Sequence, residues 1–102
     1  MGFKNQYPNS VNYCGQVTWV EDCGRSASSG KKIRLVVRNP STEKPKFDTY
    51  IRCLAFGKNA VALDNAMDEV ILITGRLGLE GTKTVVLIDD FYYADDEPLE
   101  KE

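Results

Sequence analysis

The 102-residue chain has room for one domain, and its 42% apolar content is enough to build a core. It contains no histidine, which removes the commonest general base and the commonest zinc ligand together and weakens most hydrolase and metalloenzyme readings. No apolar run approaches the roughly 18 residues of a membrane span, and the polar start Met1-Gly2-Phe3-Lys4-Asn5-Gln6 has no secretory h-region.

The net charge of −2 hides a segregation. Between residues 25 and 58 lie Arg25, Lys31, Lys32, Arg34, Arg38, Lys44, Lys46, Arg52 and Lys58, opposed only by Glu43 and Asp48, a local charge of +7. The last ten residues carry −4. A basic segment in an acidic chain is an electrostatic footprint for a polyanion, although exposed Lys and Arg also occur on any solvated surface. The three cysteines, Cys14, Cys23 and Cys53, are an odd number with wide spacing, and form neither a disulfide framework nor a metal knuckle. Cys14 and Cys53 sit in apolar runs and are expected in the core, with Cys23 more exposed. A reducing cytoplasm is the expected compartment. No metal or cofactor is expected.

Residues 1–10 read as a leader. From Val11, the residues Val11, Tyr13, Gly15, Val17 and Trp19 alternate with Asn12, Cys14, Gln16 and Thr18, which predicts a strand over 11–20, bent or closely approached at Gly15. Residues 24–30 read as a turn. Lys32 to Arg38 alternates Ile33, Leu35 and Val37 against Arg34, Val36 and Arg38, a second strand. Asn39 to Lys46, with Pro40 and Pro45, reads as a loop. Asp48 to Phe56 is a third strand, with Ile51, Cys53 and Ala55 on one face and Tyr50, Arg52, Leu54 and Phe56 on the other. Asn59 to Met67 predicts one or two helical turns, Glu69 to Leu77 a fourth strand, Gly78 to Gly81 a tight connection, and Lys83 to Tyr93 a fifth strand. Residues 94–102 form an acidic tail expected to be disordered. This order predicts an all-β, five-stranded OB-fold barrel over residues 11–93, with one short helix between strands 3 and 4.

On the third strand, Tyr50, Arg52 and Phe56 share a face, where rings can stack on any base and an arginine between them can reach a phosphate. The alternative is that Tyr50 and Phe56 close one end of the barrel. The run Tyr50-Ile51-Arg52-Cys53-Leu54-Ala55-Phe56-Gly57-Lys58-Asn59-Ala60 resembles the bacterial single-stranded DNA-binding protein family, including its primosomal accessory relatives. Asn12 to Val17, Gly30 to Val37 and Val70 to Leu77 resemble that family's first, second and fourth strands. The resemblance implies base stacking by Tyr50 and Phe56, with Arg52 as the basic position between them. The sequence departs from the family at two further stacking positions, since Asn39 to Lys46 holds no tryptophan and Gly78-Leu79-Glu80-Gly81 is short and has no aromatic.

The candidate nucleic-acid-binding set is therefore Tyr50, Arg52, Phe56, Arg34, Arg38, Lys31, Lys32, Lys58, Arg76 and Trp19. The expected function is sequence-independent binding of single-stranded DNA in replication, recombination or repair, without enzymatic activity. RNA is an alternative ligand; a primosomal accessory protein or a purely protein-binding OB module are alternative functions. A segment of +7 that neutralised about four to six phosphates would give a slope of log K on log salt of about −3 to −4. The only candidate for catalysis is Asp89-Asp90, joined by Glu80 or Asp48 as magnesium ligands of a nuclease, but Asp89 and Asp90 are strand neighbours and point to opposite faces, so they would not chelate one ion together. Ile71, Ile73, Val85 and Leu87 exceed what one barrel interior readily holds, which predicts a homodimer or homotetramer. The expected location is cytoplasmic and nucleoid-associated, with replication or repair proteins as further partners and no membrane contact.

Overall fold

The computed structural model describes residues 8–26 and 30–94. Most of the predicted leader, the centre of the first turn (27–29) and the acidic tail from residue 95 lie outside the described residues. The elements are β1 (Val11–Ser26), β2 (Gly30–Asn39), a 3₁₀ turn (Pro45–Phe47), β3 (Thr49–Phe56), α1 (Lys58–Leu63), β4 (Val70–Glu80) and β5 (Lys83–Tyr93). The strands close into a barrel in the order β1-β2-β3-β5-β4, antiparallel throughout except where β3 meets β5 in parallel. This is the five-stranded OB architecture that the order of elements predicted.

The interior follows from period-two alternation. Ile33, Leu35 and Val37 of β2 and Cys53 and Ala55 of β3 are fully buried with Val17, Ile71, Ile73 and Val86. Helix α1 closes one end of the barrel with Ala60 and Leu63, followed by buried Ala66. Its entry depends on Gly57, whose φ of 61° and ψ of −130° suit glycine alone, and whose N–H donates to the Lys31 carbonyl at 2.8 Å. Gly15 fulfils the expected close approach: a Cβ there would stand 2.3 Å from the Arg38 carbonyl oxygen.

Three sequence expectations are corrected. The alternation of β1 does not run unbroken to Trp19. Val17 pairs with Val37 and Trp19 pairs with Val36, so Thr18 is an extra residue in β1, a bulge that reverses which parity faces inward. Val20 packs against the core and Trp19 faces outward. Cys14 is exposed, because it shares parity with Asn12 and Gln16 on the outer face; Cys53 is buried as expected. The segment Gly78 to Glu80 is not a connection but the end of β4, paired with Val85, Thr84 and Lys83, so that only Gly81 and Thr82 form the turn.

Candidate nucleic-acid interface

Because directly paired residues project to the same side of a sheet, the register assembles one continuous outer face from β1, β2 and β3. Its rows are Gln16–Arg38–Tyr50, then Trp19–Val36–Arg52, then Glu21–Arg34–Leu54, then Lys32–Phe56. Tyr50 is 60% and Trp19 53% exposed, so both rings present open faces. Arg52 is exposed, Phe56 half-buried and Leu54 buried. The bulge at Thr18 delivers Trp19 to this face; without it the ring would point into the barrel. The hydroxyl of Thr18 donates to the Val36 carbonyl at 3.2 Å and fixes the irregularity.

Trp19, Glu21, Arg34, Val36 and Arg52 line an open groove whose far wall is the β4–β5 turn, with Glu80, Gly81 and Lys83. The charge pattern along it differs from that of the sequence segment. Folding brings acids from outside residues 25–58 onto the basic residues within it. Arg34 donates to Glu80 from Nε at 3.0 Å and from Nη2 at 2.5 Å, and to Glu21 from Nη1 at 2.6 Å. Lys32 lies 3.2 Å from the same Glu80 carboxylate. The Arg34 hydrogen bonds, and after them Lys32, hold the Glu80 carboxyl well below the usual range, at about 2. Glu80 and then Glu21 push the Arg34 guanidinium further towards its charged form.

The other basic candidates divide in the same way. Lys31 lies apart from the groove, bridging Asp64 at 2.9 Å and Asp22 at 3.4 Å. Its ammonium is held charged chiefly by Asp64. Arg38 reaches Asp48 at 3.2 Å, and Asp48 also accepts the Ser41 N–H, so this pair organises the loop after β2. Arg76 is paired with Asp89 on the outside of β4–β5. Asp89 and Asp90 are engaged separately, Asp90 accepting the Phe91 N–H. Arg52 and Lys58, the latter opening α1, have no carboxylate partner among the described residues, and neither does Lys83.

Lys83, the first residue of β5 and outside the set expected from the sequence, lines the groove together with Arg52. Phe47 ends the 3₁₀ turn after β2, is 54% exposed and carries the Lys46 ammonium 5.4 Å above its ring. Phe47 lies one residue beyond the Asn39–Lys46 loop, which holds no tryptophan. The missed signal was an aromatic–lysine pair, Lys46-Phe47, beside a strand of aromatics. Lys83 gave no sequence signal, because its place depends on how the hairpin folds back.

Neither a protein-family model nor a curated protein matches the sequence. Solved structures do share the fold. The SSB domain of a Synechococcus protein aligns with a TM-score of 0.67 at 14% identity, over 86% of this chain and 98% of its own. A small single-stranded DNA binding protein from Mycoplasma pneumoniae aligns with a TM-score of 0.66 at 18% identity, over 94% of this chain and 97% of its own. The N-terminal domain of PriB from Thermoanaerobacter tencongensis, described as dimeric, aligns with a TM-score of 0.67 at 18% identity, over 84% of this chain and 96% of its own. At these identities the likeness establishes the fold.

Proposed function

We propose that the protein binds single-stranded DNA without sequence preference, stacking bases on Tyr50, Trp19 and Phe56 and holding phosphates with Arg52, Lys83 and Lys58. The observation that carries the reading is the juxtaposition on the outer face of β1–β3 of Trp19, Tyr50 and Arg52, the last without a carboxylate partner among the described residues. On an OB barrel this is a stacking platform flanked by cations. The solved structures of the same fold include proteins described as single-stranded DNA binding, which supports the choice of ligand. Carboxylates already engage Arg34, Lys32, Lys31 and Arg38, so the strand meets fewer free cations than the segment charge of +7 implies. With about three to four phosphates neutralised, the slope of log K on log salt becomes about −2 to −3. Fluorescence titration with poly-dT at several salt concentrations tests this. Salt-independent binding, or none at 0.05 M salt, refutes it.

A role as a primosomal accessory protein is a second reading, favoured by the alignment over nearly the full length of the PriB domain. Both readings place the protein in the cytoplasm, at replication or repair sites. No described helix is long and apolar enough to cross a membrane.

We also infer self-association, but through different residues from those the sequence indicated. Ile71, Ile73 and Val85 are buried within the protomer. The surplus apolar surface is the row Cys14–Leu72–Tyr92 across β1, β4 and β5, with Val70 beside it; Leu72 is 41% and Tyr92 58% exposed. A dimer or tetramer closed by isologous contact would cover it. Light scattering should give a mass above the 11.4 kDa protomer, and Leu72→Glu should return it to that value.

A further inference from the structure

Arg34 lines the proposed groove, yet three of its five guanidinium N–H donors are already taken by carboxylates. Glu80 takes Nε and Nη2 in a bidentate fork at 3.0 and 2.5 Å, and Glu21 takes Nη1 at 2.6 Å. The same fork is the geometry by which arginine grips a phosphate. Glu80 also draws in Lys32 at 3.2 Å, so one carboxylate occupies two neighbouring cations. Its position is fixed by the fold. Glu80 is the last residue of β4, paired across the hairpin with Lys83 and followed by a two-residue turn. The hairpin therefore carries the carboxylate across to β2 and sets it into the groove wall.

We propose that Glu80 is an internal competitor for the DNA backbone, holding Arg34 and Lys32 in a closed cluster at a position where the strand would otherwise place a phosphate. The wild-type groove then engages the backbone through Arg52 and Lys83, which line the same groove, and keeps its affinity low enough for the strand to leave readily. Arg34 remains in place with its charge spent internally. This inference rests on the reading of the groove as a single-strand site, and the experiment separates the two.

The protein and its Glu80→Gln variant are titrated with dT oligonucleotides from 0.05 to 0.3 M salt, with circular dichroism and thermal melts confirming the fold. Glutamine keeps the shape and removes the charge. One freed phosphate contact tightens binding at 0.05 M by about eightfold, the counterion-release factor at a slope of −0.7, and steepens the slope by about 0.7; two contacts steepen it by about 1.4. Asp68→Asn is the charge control, since it changes the net charge equally at an exposed position outside the groove, where a φ of 72° suits asparagine. Glu80→Gln/Arg34→Ala should lose most of the gain. A gain in Glu80→Gln no larger than in Asp68→Asn, or one that survives removal of Arg34, overturns the inference while leaving the binding reading intact. Absence of binding by both wild type and Glu80→Gln overturns the binding reading, and the inference with it.

Discussion

Substitution of Tyr50 by leucine separates stacking from stability. Tyr50 is 60% exposed and stands directly across from Arg38, whose guanidinium is turned to Asp48. An aromatic side chain buries about 150–250 Å² when fully covered. The covered two-fifths of Tyr50 is then roughly 60–100 Å², worth at most about 1.5–2.5 kcal/mol at 25 cal/mol/Å². Leucine keeps most of that contact, so the folded state should lose less than about 1 kcal/mol. The ring itself is what a base stacks on, and its loss should cost about 1–3 kcal/mol of binding, a rise in Kd of about 5- to 150-fold. The assay is a titration with dT oligonucleotides followed through Trp19, the one tryptophan in the chain, alongside urea unfolding of the free protein. A folded Tyr50→Leu variant that binds like wild type would place the strand on another face and refute the argument. A loss of affinity matched by a large loss of stability would assign the effect to packing instead.

Gly75→Ala would set a methyl group 2.2 Å from the Leu87 carbonyl oxygen, a backbone atom that cannot rotate away, so the unfolding free energy should fall by at least the usual overpacking cost of about 1–3 kcal/mol, read as a lower urea midpoint. An unchanged midpoint would mean that β4 and β5 are spaced more widely than described. Thiol labelling under native conditions should modify exposed Cys14 quickly and buried Cys53, whose thiol is pushed up to about 12 by burial, only very slowly; mass spectrometry reads the order. The Glu80 carboxyl is depressed from 4.5 to about 2 by Arg34, so the stability it contributes is fully present above about pH 4.5 and is lost as pH falls towards 2. Thermal melts across that window should therefore show a shallower acid loss for Glu80→Gln than for wild type.

The fold was legible because β2 and β3 alternate cleanly. Ile33, Leu35, Val37, Cys53 and Ala55 all fall on the interior face that the two-residue period assigns them. The face shared by Tyr50, Arg52 and Phe56 was legible for the same reason. What the sequence did not carry was pairing. The bulge at Thr18 is defined by the register of β1 against β2, and strict alternation assigns Trp19 to the wrong side. The basic run from Arg25 to Lys58 looked weakly opposed because most of its counter-charges, Glu21, Asp22, Asp64 and Glu80, lie outside it in the chain and arrive only when the barrel closes. The apolar side chains expected to be surplus to the interior are mostly part of it. Ile71 and Ile73 take the interior parity of β4, and Leu72 between them takes the surface.

The parallel seam between β3 and β5 is the shortest ladder in the barrel, formed by Cys53 with Val86 and Leu54 with Leu87, while β3 is zipped to β2 along its whole length. Local opening favours the seam with the fewest backbone hydrogen bonds, so the barrel should part there first, with β3 staying zipped to β2. Cys53 sits on that seam, and its slow modification in the native protein becomes a clock. The labelling rate measures how often the cylinder parts, and a strand bound across the β1–β3 face, which does not span the seam, should leave that clock running at nearly its original rate.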